Sequence, residues 1–246
     1  MAITITLGNG KEWKTQKAAI EHFRSILRTY KNGDTISDLD HYNDLVALLE
    51  RYDNAITKTP SKIGCGIDHF ERRLNADVGY STPSFWVIRT DGTATDFSFY
   101  TALKGEPKPR SQEFIDACRA AVAADLRHAK DKHFKLHADA NGQVLCDLSD
   151  EPISPENAHL DHAYPTFGVM VVMFRAAQGW HDTIPDGVLT PSQDAQTTTK
   201  FADPDVATKF REFHRRGAKL RVISRRANLS KAASQRAPKI KRPVTL

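Results

Sequence analysis

Two short stretches of the chain combine residue types that could do chemistry. The first is Leu160-Asp161-His162-Ala163-Tyr164-Pro165. A carboxylate placed directly before an imidazole can bind a hard divalent cation through oxygen. The neutral imidazole beside it can take a proton from water, while a metal stabilises charge building on a phosphate oxygen and its leaving group. His159 and Tyr164 flank the pair and read equally well as surface polar residues. The second stretch is Lys219–Lys231, KLRVISRRANLSK. It reads as a short apolar strand, then basic residues, then Asn-Leu-Ser-Lys entering a helix. Asn228 can give a carbonyl oxygen to a cation or simply cap the helix. Arg221, Arg225, Arg226 and Lys231 can meet phosphates.

The charge distribution bears on the same chemistry. The chain has 246 residues and a net charge of +5. From Lys209 to Leu246 there are thirteen Lys and Arg against one acid, Glu212, so that segment carries +12 and residues 1–208 carry −7. A polyanionic partner is the simplest physical reason for such segregation, with a solvated basic tail as the alternative. Several classes are excluded. No apolar run is long enough for a membrane span. There is no Gly-x-Ser-x-Gly elbow and no Gly-rich nucleotide loop. Three cysteines, Cys65, Cys118 and Cys146, are too few and too scattered for a disulfide scaffold. A reducing, cytoplasmic setting is therefore expected, and the start MAITITLGNGKEW does not read as a secretory leader.

The elements that must position these residues read as α+β. Thr15–Tyr30 and Ser37–Arg51 carry apolar residues at helical spacing. Phe85–Arg89 is an expected strand, Asp91-Gly92 a hairpin turn, and Asp96–Tyr100 the return strand. Lys104–Arg110, KGEPKPR, is the best linker in the chain. A long helix is expected over Gln112–Lys132, capped by Ser111, and then a hairpin over Phe134–Val144 turning at Asn141-Gly142. Thr166–Gln178 and Asp205–Arg216 read as helices, Thr183–Asp203 as a polar loop, and the segment after Ser234 as flexible.

Together the two chemical stretches resemble the HNH (ββα-metal) endonuclease family. In that family an Asp-His or His-His pair on a first hairpin is followed by Pro, and an Asn-Leu piece starts the helix. The resemblance covers Val144–Lys231 in two patches about fifty residues apart. It implies Asp161 and Asn228 as ligands of one Mg2+ or Mn2+, and His162 as general base. It also implies DNA as substrate, with RNA as an alternative, in a phage, mobile-element or defence setting. Where many members hold a structural zinc on two Cys-x-x-Cys pairs, this chain has Cys146, Ser149, Ser224 and Ala227. One thiolate cannot make a tetrahedral site, so no structural zinc is expected. Lys219 stands where the family has the Asn that orients the base. His214 could substitute for it, or make a polar contact on its own helix.

Residues Trp13–Lys104 carry a second resemblance, to the DCL domain. Its motifs here are Lys62-Ile63-Gly64-Cys65-Gly66-Ile67, Phe85-Trp86-Val87-Ile88-Arg89-Thr90-Asp91-Gly92 and Asp96-Phe97-Ser98-Phe99. That domain is named for a plant chloroplast ribosomal-RNA-processing protein. The resemblance implies an accessory role in nucleic-acid transactions and no catalysis. Gly64 and Gly66 permit tight turns, and Cys65 between them is expected to be buried. Lys62 and Arg89 could touch a phosphate or lie on a solvated face.

The expected organisation is a DCL-like domain at 1–105, a linker at 106–111, an HNH-type nuclease domain with helical additions at 112–234, and a flexible basic tail at 235–246. The expected function is metal-dependent DNA hydrolysis. The alternatives are a catalytically degenerate nucleic-acid-binding protein and an RNA-processing factor. One ββα site nicks one strand per event, so a homodimer would be needed for a concerted double-strand cut.

Overall fold

A computed structural model describes residues 3–57, 60–77, 80–194, 196, 198–229 and 240–246. The chain divides into two compact units, Met1–Gln112 with Pro191–Thr199, and Glu113–Thr190 with Lys200–Leu246. The first unit is therefore discontinuous in sequence, unlike the contiguous 1–105 expected. Part of the expected polar loop belongs to it.

The first unit is α+β. A short hairpin, β1 (Ile5–Thr6) with β2 (Glu12–Trp13), leads into α1 (Gln16–Thr29) and α2 (Leu39–Ala55). Thr15 caps α1 by accepting from the Ala18 N–H, and Asp38 caps α2 by accepting from the His41 N–H. The helices pack on an antiparallel sheet in the order β3 (Ile67–Asp77), β4 (Tyr80–Arg89), β5 (Ala94–Phe97). Phe23, Ile26, Leu45, Leu48, Phe70, Phe85, Val87 and Phe97 form the core between them. Strand β3 was not anticipated, because its run Asp68-His69-Phe70-Glu71-Arg72-Arg73 contains one apolar residue, and only Phe70 is buried. The expected return strand over Asp96–Tyr100 ends early. Ser98 accepts from the Thr101 N–H and starts the helix α3 (Phe99–Lys104), which draws Phe99 and Tyr100 out of the sheet.

The second unit is built on the long helix α4 (Arg110–His137). It runs five residues past the expected end, so the expected hairpin over Phe134–Val144 does not form. A turn closes instead where the Asp139 carboxylate accepts from the N–H groups of Asn141 and Gln143. The hairpin that follows pairs β6 (Val144–Leu145) with β7 (Pro152–Ile153). Next come β8 (Ala158–His162), α5 (Phe167–Ala177), α6 (Pro204–Gly217), β9 (Leu220–Ser224), α7 (Arg225–Leu229) and β10 (Pro243–Val244). The sheet order is β10-β9-β8, all antiparallel. Phe114, Cys118, Val122, Val171, Phe174 and Phe210 pack the helical end. Phe134, Val144, Cys146, Ile153, Val222 and Val244 pack against the sheet.

The expected tail, 235–246, is corrected where it is described. Pro243 and Val244 pair with Arg221 and Leu220, and Val244 is buried. The buried Asp147 carboxylate accepts from the backbone N–H groups of Lys241 at 3.0 Å and Arg242 at 2.7 Å. Composition reads those residues as solvated, but a strand edge and a buried acceptor take them.

Candidate active site

Strand β8 pairs with β9 in the register His159↔Ile223, Asp161↔Arg221, His162↔Leu220. Helix α7 follows β9 without a loop, and the Ser224 hydroxyl accepts from the Ala227 N–H at 3.2 Å to start it. The order is thus strand, strand, helix, with a long insertion between the strands. Lys130 of α4 anchors the start of β8 by donating to the carbonyls of Pro155 at 2.6 Å and Ala158 at 2.7 Å.

Alternation places His159 and Asp161 on one side of β8 and His162 on the other. On the first side the Asn228 amide donates to Nδ1 of His159 at 2.7 Å. Burial, with Lys130 and Arg225 nearby, holds His159 below the usual imidazole range, and the amide donor facing Nδ1 selects the tautomer protonated on Nε2. Two residues on, the Asp161 carboxylate accepts from Nε of Arg221 at 3.0 Å, and Nη1 of the same arginine lies 4.0 Å from Asp147. Asp161, Asn228 and His159 offer a carboxylate oxygen, an amide oxygen and an imidazole. Among the described residues no three His, Cys, Asp or Glu are gathered as a metal cage. This donor set suits a cation that keeps most of its shell as water, as Mg2+ does, and not a closed site.

On the other side Nε2 of His162 lies 2.7 Å from Nε2 of His214, with the rings edge-on. Phe167 flanks both rings. Burial pushes His162 down to about 4, with the neighbouring His214 adding to the shift and Asp161 opposing it. Burial brings His214 to about 4 as well. Both are neutral at pH 7, and one Nε2 donates to the other, so the two rings hold opposite tautomers. His214 therefore contacts the expected base and does more than serve its own helix. Lys219 contributes through its backbone, where its carbonyl accepts from the Ala163 N–H at 2.8 Å, one residue past His162.

The expected phosphate contacts divide. Arg225 and Arg226 are exposed at the start of α7. Arg221 is corrected: it is 1% exposed and bonded to Asp161, so its guanidinium serves that carboxylate and does not present itself to a phosphate. Lys231 lies outside the described residues. Cys146, Ser149, Ser224 and Ala227 are joined by hydrogen bonds, the last through its N–H to the Ser224 hydroxyl. Cys146 Sγ accepts from the Ser224 N–H at 3.3 Å, and the Ser149 hydroxyl bonds to it. Burial raises this thiol, but the bonds from Ser149, Ser224 and Leu148 outweigh it and leave its pKa below the ordinary value.

Sequence reasoning treated His159 as a surface residue. The signal for its role was its position two residues before Asp161, which puts both on one side of a strand. In the first unit two expectations are corrected. Cys65 is exposed, because Gly64 at φ 58° and Gly66 at φ 128° turn the loop outward around it. Lys62 and Arg89 are neither solvated nor open to a phosphate. They are buried and share the carboxylate of Asp194.

Comparison with known proteins concerns the first unit. Residues 24–103 match the family described as a protein of unknown function, DUF3223. A protein of Arabidopsis thaliana, "Protein DCL homolog, chloroplastic", is 32% identical over 96 residues. That match spans 38% of this chain and 42% of the plant protein's length. An uncharacterized Rhodospirillum rubrum protein, solved in solution by NMR, is 32% identical with a TM-score of 0.33, over 42% of this chain and 89% of its own. No helix among the described residues is long and apolar enough to cross a membrane. The N-terminal region of the chain, residues 24–103, carries a DCL-like DUF3223 domain.

Proposed function

We propose that the second unit is a metal-dependent nuclease acting on DNA. The observation that supports this best is the contact between Asn228 on α7 and His159 on β8. It brings the helix residue to the side of the strand that carries Asp161, in the order strand, strand, helix. Asp161 and Asn228 would hold Mg2+ or Mn2+, whose chemistry when bound is to stabilise charge on a phosphate oxygen and on the departing 3′ oxygen. His162 takes the proton from the attacking water, and its partner His214 fixes the ring. A neutral imidazole is the required form, and burial secures it at every physiological pH.

Arg225 and Arg226 draw the polyanion to the helix start without reading sequence. Much of the remaining basic charge is already engaged. Lys241 and Arg242 pair with Asp150, Arg215 with Asp125, and Arg216 with Glu212. DNA affinity should therefore depend on a few phosphate contacts and fall with salt less steeply than a charge of +12 would suggest.

The test is nicking of supercoiled plasmid with Mg2+, Mn2+ or EDTA, by wild type and Asn228→Ala. Nicking that EDTA and the substitution both abolish, with the gel shift retained, is the expected result. A second reading, a catalytically degenerate DNA-binding unit, draws on the Asp161–Arg221 ion pair. That guanidinium already supplies positive charge to the carboxylate a cation would need. Binding without cleavage in any metal would establish it over the first.

A further inference from the structure

The motif Lys62–Ile67 and the residue Arg89 meet in the first unit, and they build something the two-stretch reading of the sequence did not contain. The Asp53 carboxylate accepts from the N–H groups of Lys62 at 2.8 Å and Ile63 at 3.1 Å, and from the Ser61 hydroxyl at 2.6 Å. This fixes the loop in shape. Gly64 then passes directly over the Arg89 side chain, where a Cβ would lie 2.6 Å from Nε. Arg89 spends its remaining donors inward, on the carbonyls of Lys62 and Ser61 and the hydroxyl of Thr93. Lys62 donates to the Thr95 hydroxyl at 2.8 Å. The two buried cations form one positively charged site, offset in part by Asp96 and Asp53 near Lys62 and by Asp91 near Arg89.

One carboxylate fills it. Asp194 lies 2.8 Å from Nη1 of Arg89 and 3.8 Å from Nζ of Lys62. Asp194 sits on the segment Pro191–Thr199, far outside the DUF3223 match at residues 24–103. Both cations lie inside that match. Two cations held this deep need an anion, because desolvation penalises them otherwise. The domain thus carries the receptor, and a separate stretch of the chain carries the ligand. We propose that Lys62 and Arg89 form a carboxylate-recognition site for a peptide that presents an aspartate from a turn, and that in this protein the Pro191–Thr199 segment occupies it in cis through Asp194. A peptide carboxylate is preferred to a phosphate because the anion the site holds is a carboxylate, bonded by Arg89 and the Thr95 hydroxyl with the Lys62 ammonium beside it.

The proposal is tested on the full-length chain. Asp194 is 41% exposed on a loop, so Asp194→Ala removes no packed apolar side chain, and Asp194→Asn, which keeps an oxygen acceptor beside the two cations, is measured with it. Hydrogen exchange should show the amides of 191–199 exchanging about tenfold faster in Asp194→Ala, with the amides of β3–β5 unchanged. A synthetic peptide of the Thr190–Lys200 sequence should then bind the variant in trans, and bind wild type far more weakly because its site is filled. The same peptide with Asn in place of Asp should bind the variant about tenfold less tightly. Unchanged exchange in 191–199 would overturn the proposal. So would equal binding of the two peptides. A gain in oligonucleotide affinity on Asp194→Ala, without peptide binding, would overturn it in favour of a phosphate site.

Discussion

Replacing His214 by Phe should remove part of a pH dependence that the wild-type protein shows between pH 7 and 4.5. Both His162 and His214 are held at about 4 when folded, against the ordinary 6.5. The unfolded chain therefore binds protons first as pH falls. Each imidazole contributes stability that is complete above pH 6.5 and is lost as pH falls toward 4. A shift of that size is worth about 3.4 kcal/mol at the limit, of which about 2.4 kcal/mol is lost between pH 7 and 4.5. His214→Phe keeps a ring against Phe167 and Phe210 but removes one titrating group. Any constant packing cost cancels when only the pH-dependent difference is read. Other depressed histidines, His133 and His159, stay in both proteins and cancel too. The assay is urea unfolding followed at Trp180, which packs on Phe114 and Phe174, with Trp13 and Trp86 replaced by Phe. Wild type should lose at least about 2.4 kcal/mol more than the variant over this range, because the variant lacks the His214 titration and also its push on His162. Parallel curves, within about 0.5 kcal/mol, would refute the neutral buried pair.

Other outcomes follow from the same geometry. Gly64→Ala should destabilise the first unit by about 1–3 kcal/mol, read in its thermal unfolding, since it adds strain at φ 58° and a clash with Arg89. Asp147→Asn should cost about 1–3 kcal/mol in the second unit and speed hydrogen exchange at residues 241–244, because it weakens the acceptor of two backbone N–H groups. The purified protein should contain less than stoichiometric zinc by elemental analysis, and Cys146→Ala should leave it folded. If the proposed cleavage occurs, its rate should stay flat from pH 7 to about 5 and fall only near the pKa of about 4 assigned to His162.

How much was legible depended on what kind of signal each part carries. Helices α1, α2, α5 and α6 declare themselves by spacing and caps, and the turn at Asp91-Gly92 by its residues. Strand β3 was hidden because its charged side chains face solvent and only Phe70 reports the core. The end of α4 was hidden because Lys135, Leu136 and His137 are neither breakers nor periodic. The strand and helix start within Lys219–Lys231 could be read, since that patch is local, whereas a strand at Ala158–His162 was expected only through the family resemblance. The contacts around Asp161 and Asn228 could not be read. The His162–His214 bond and the Arg221–Asp161 pair span 52 and 60 residues, and no local pattern encodes such partners. Arg221 misled for a physical reason. A basic residue in an apolar strand was taken for a surface contact, whereas pairing with Asp161 and Asp147 permits its burial. Asp194 carried no signal at all, being one acid in a polar loop whose partners lie in another part of the sequence.

The most direct measurement is cleavage of supercoiled plasmid by wild type and His162→Ala side by side, in Mg2+, Mn2+ and EDTA, with a gel shift on each. The account predicts nicked circles from wild type in Mg2+ or Mn2+ only, none from His162→Ala, and equal DNA binding by both. Cleavage by His162→Ala at the wild-type rate would contradict it, and so would binding by both proteins with no cleavage in any metal.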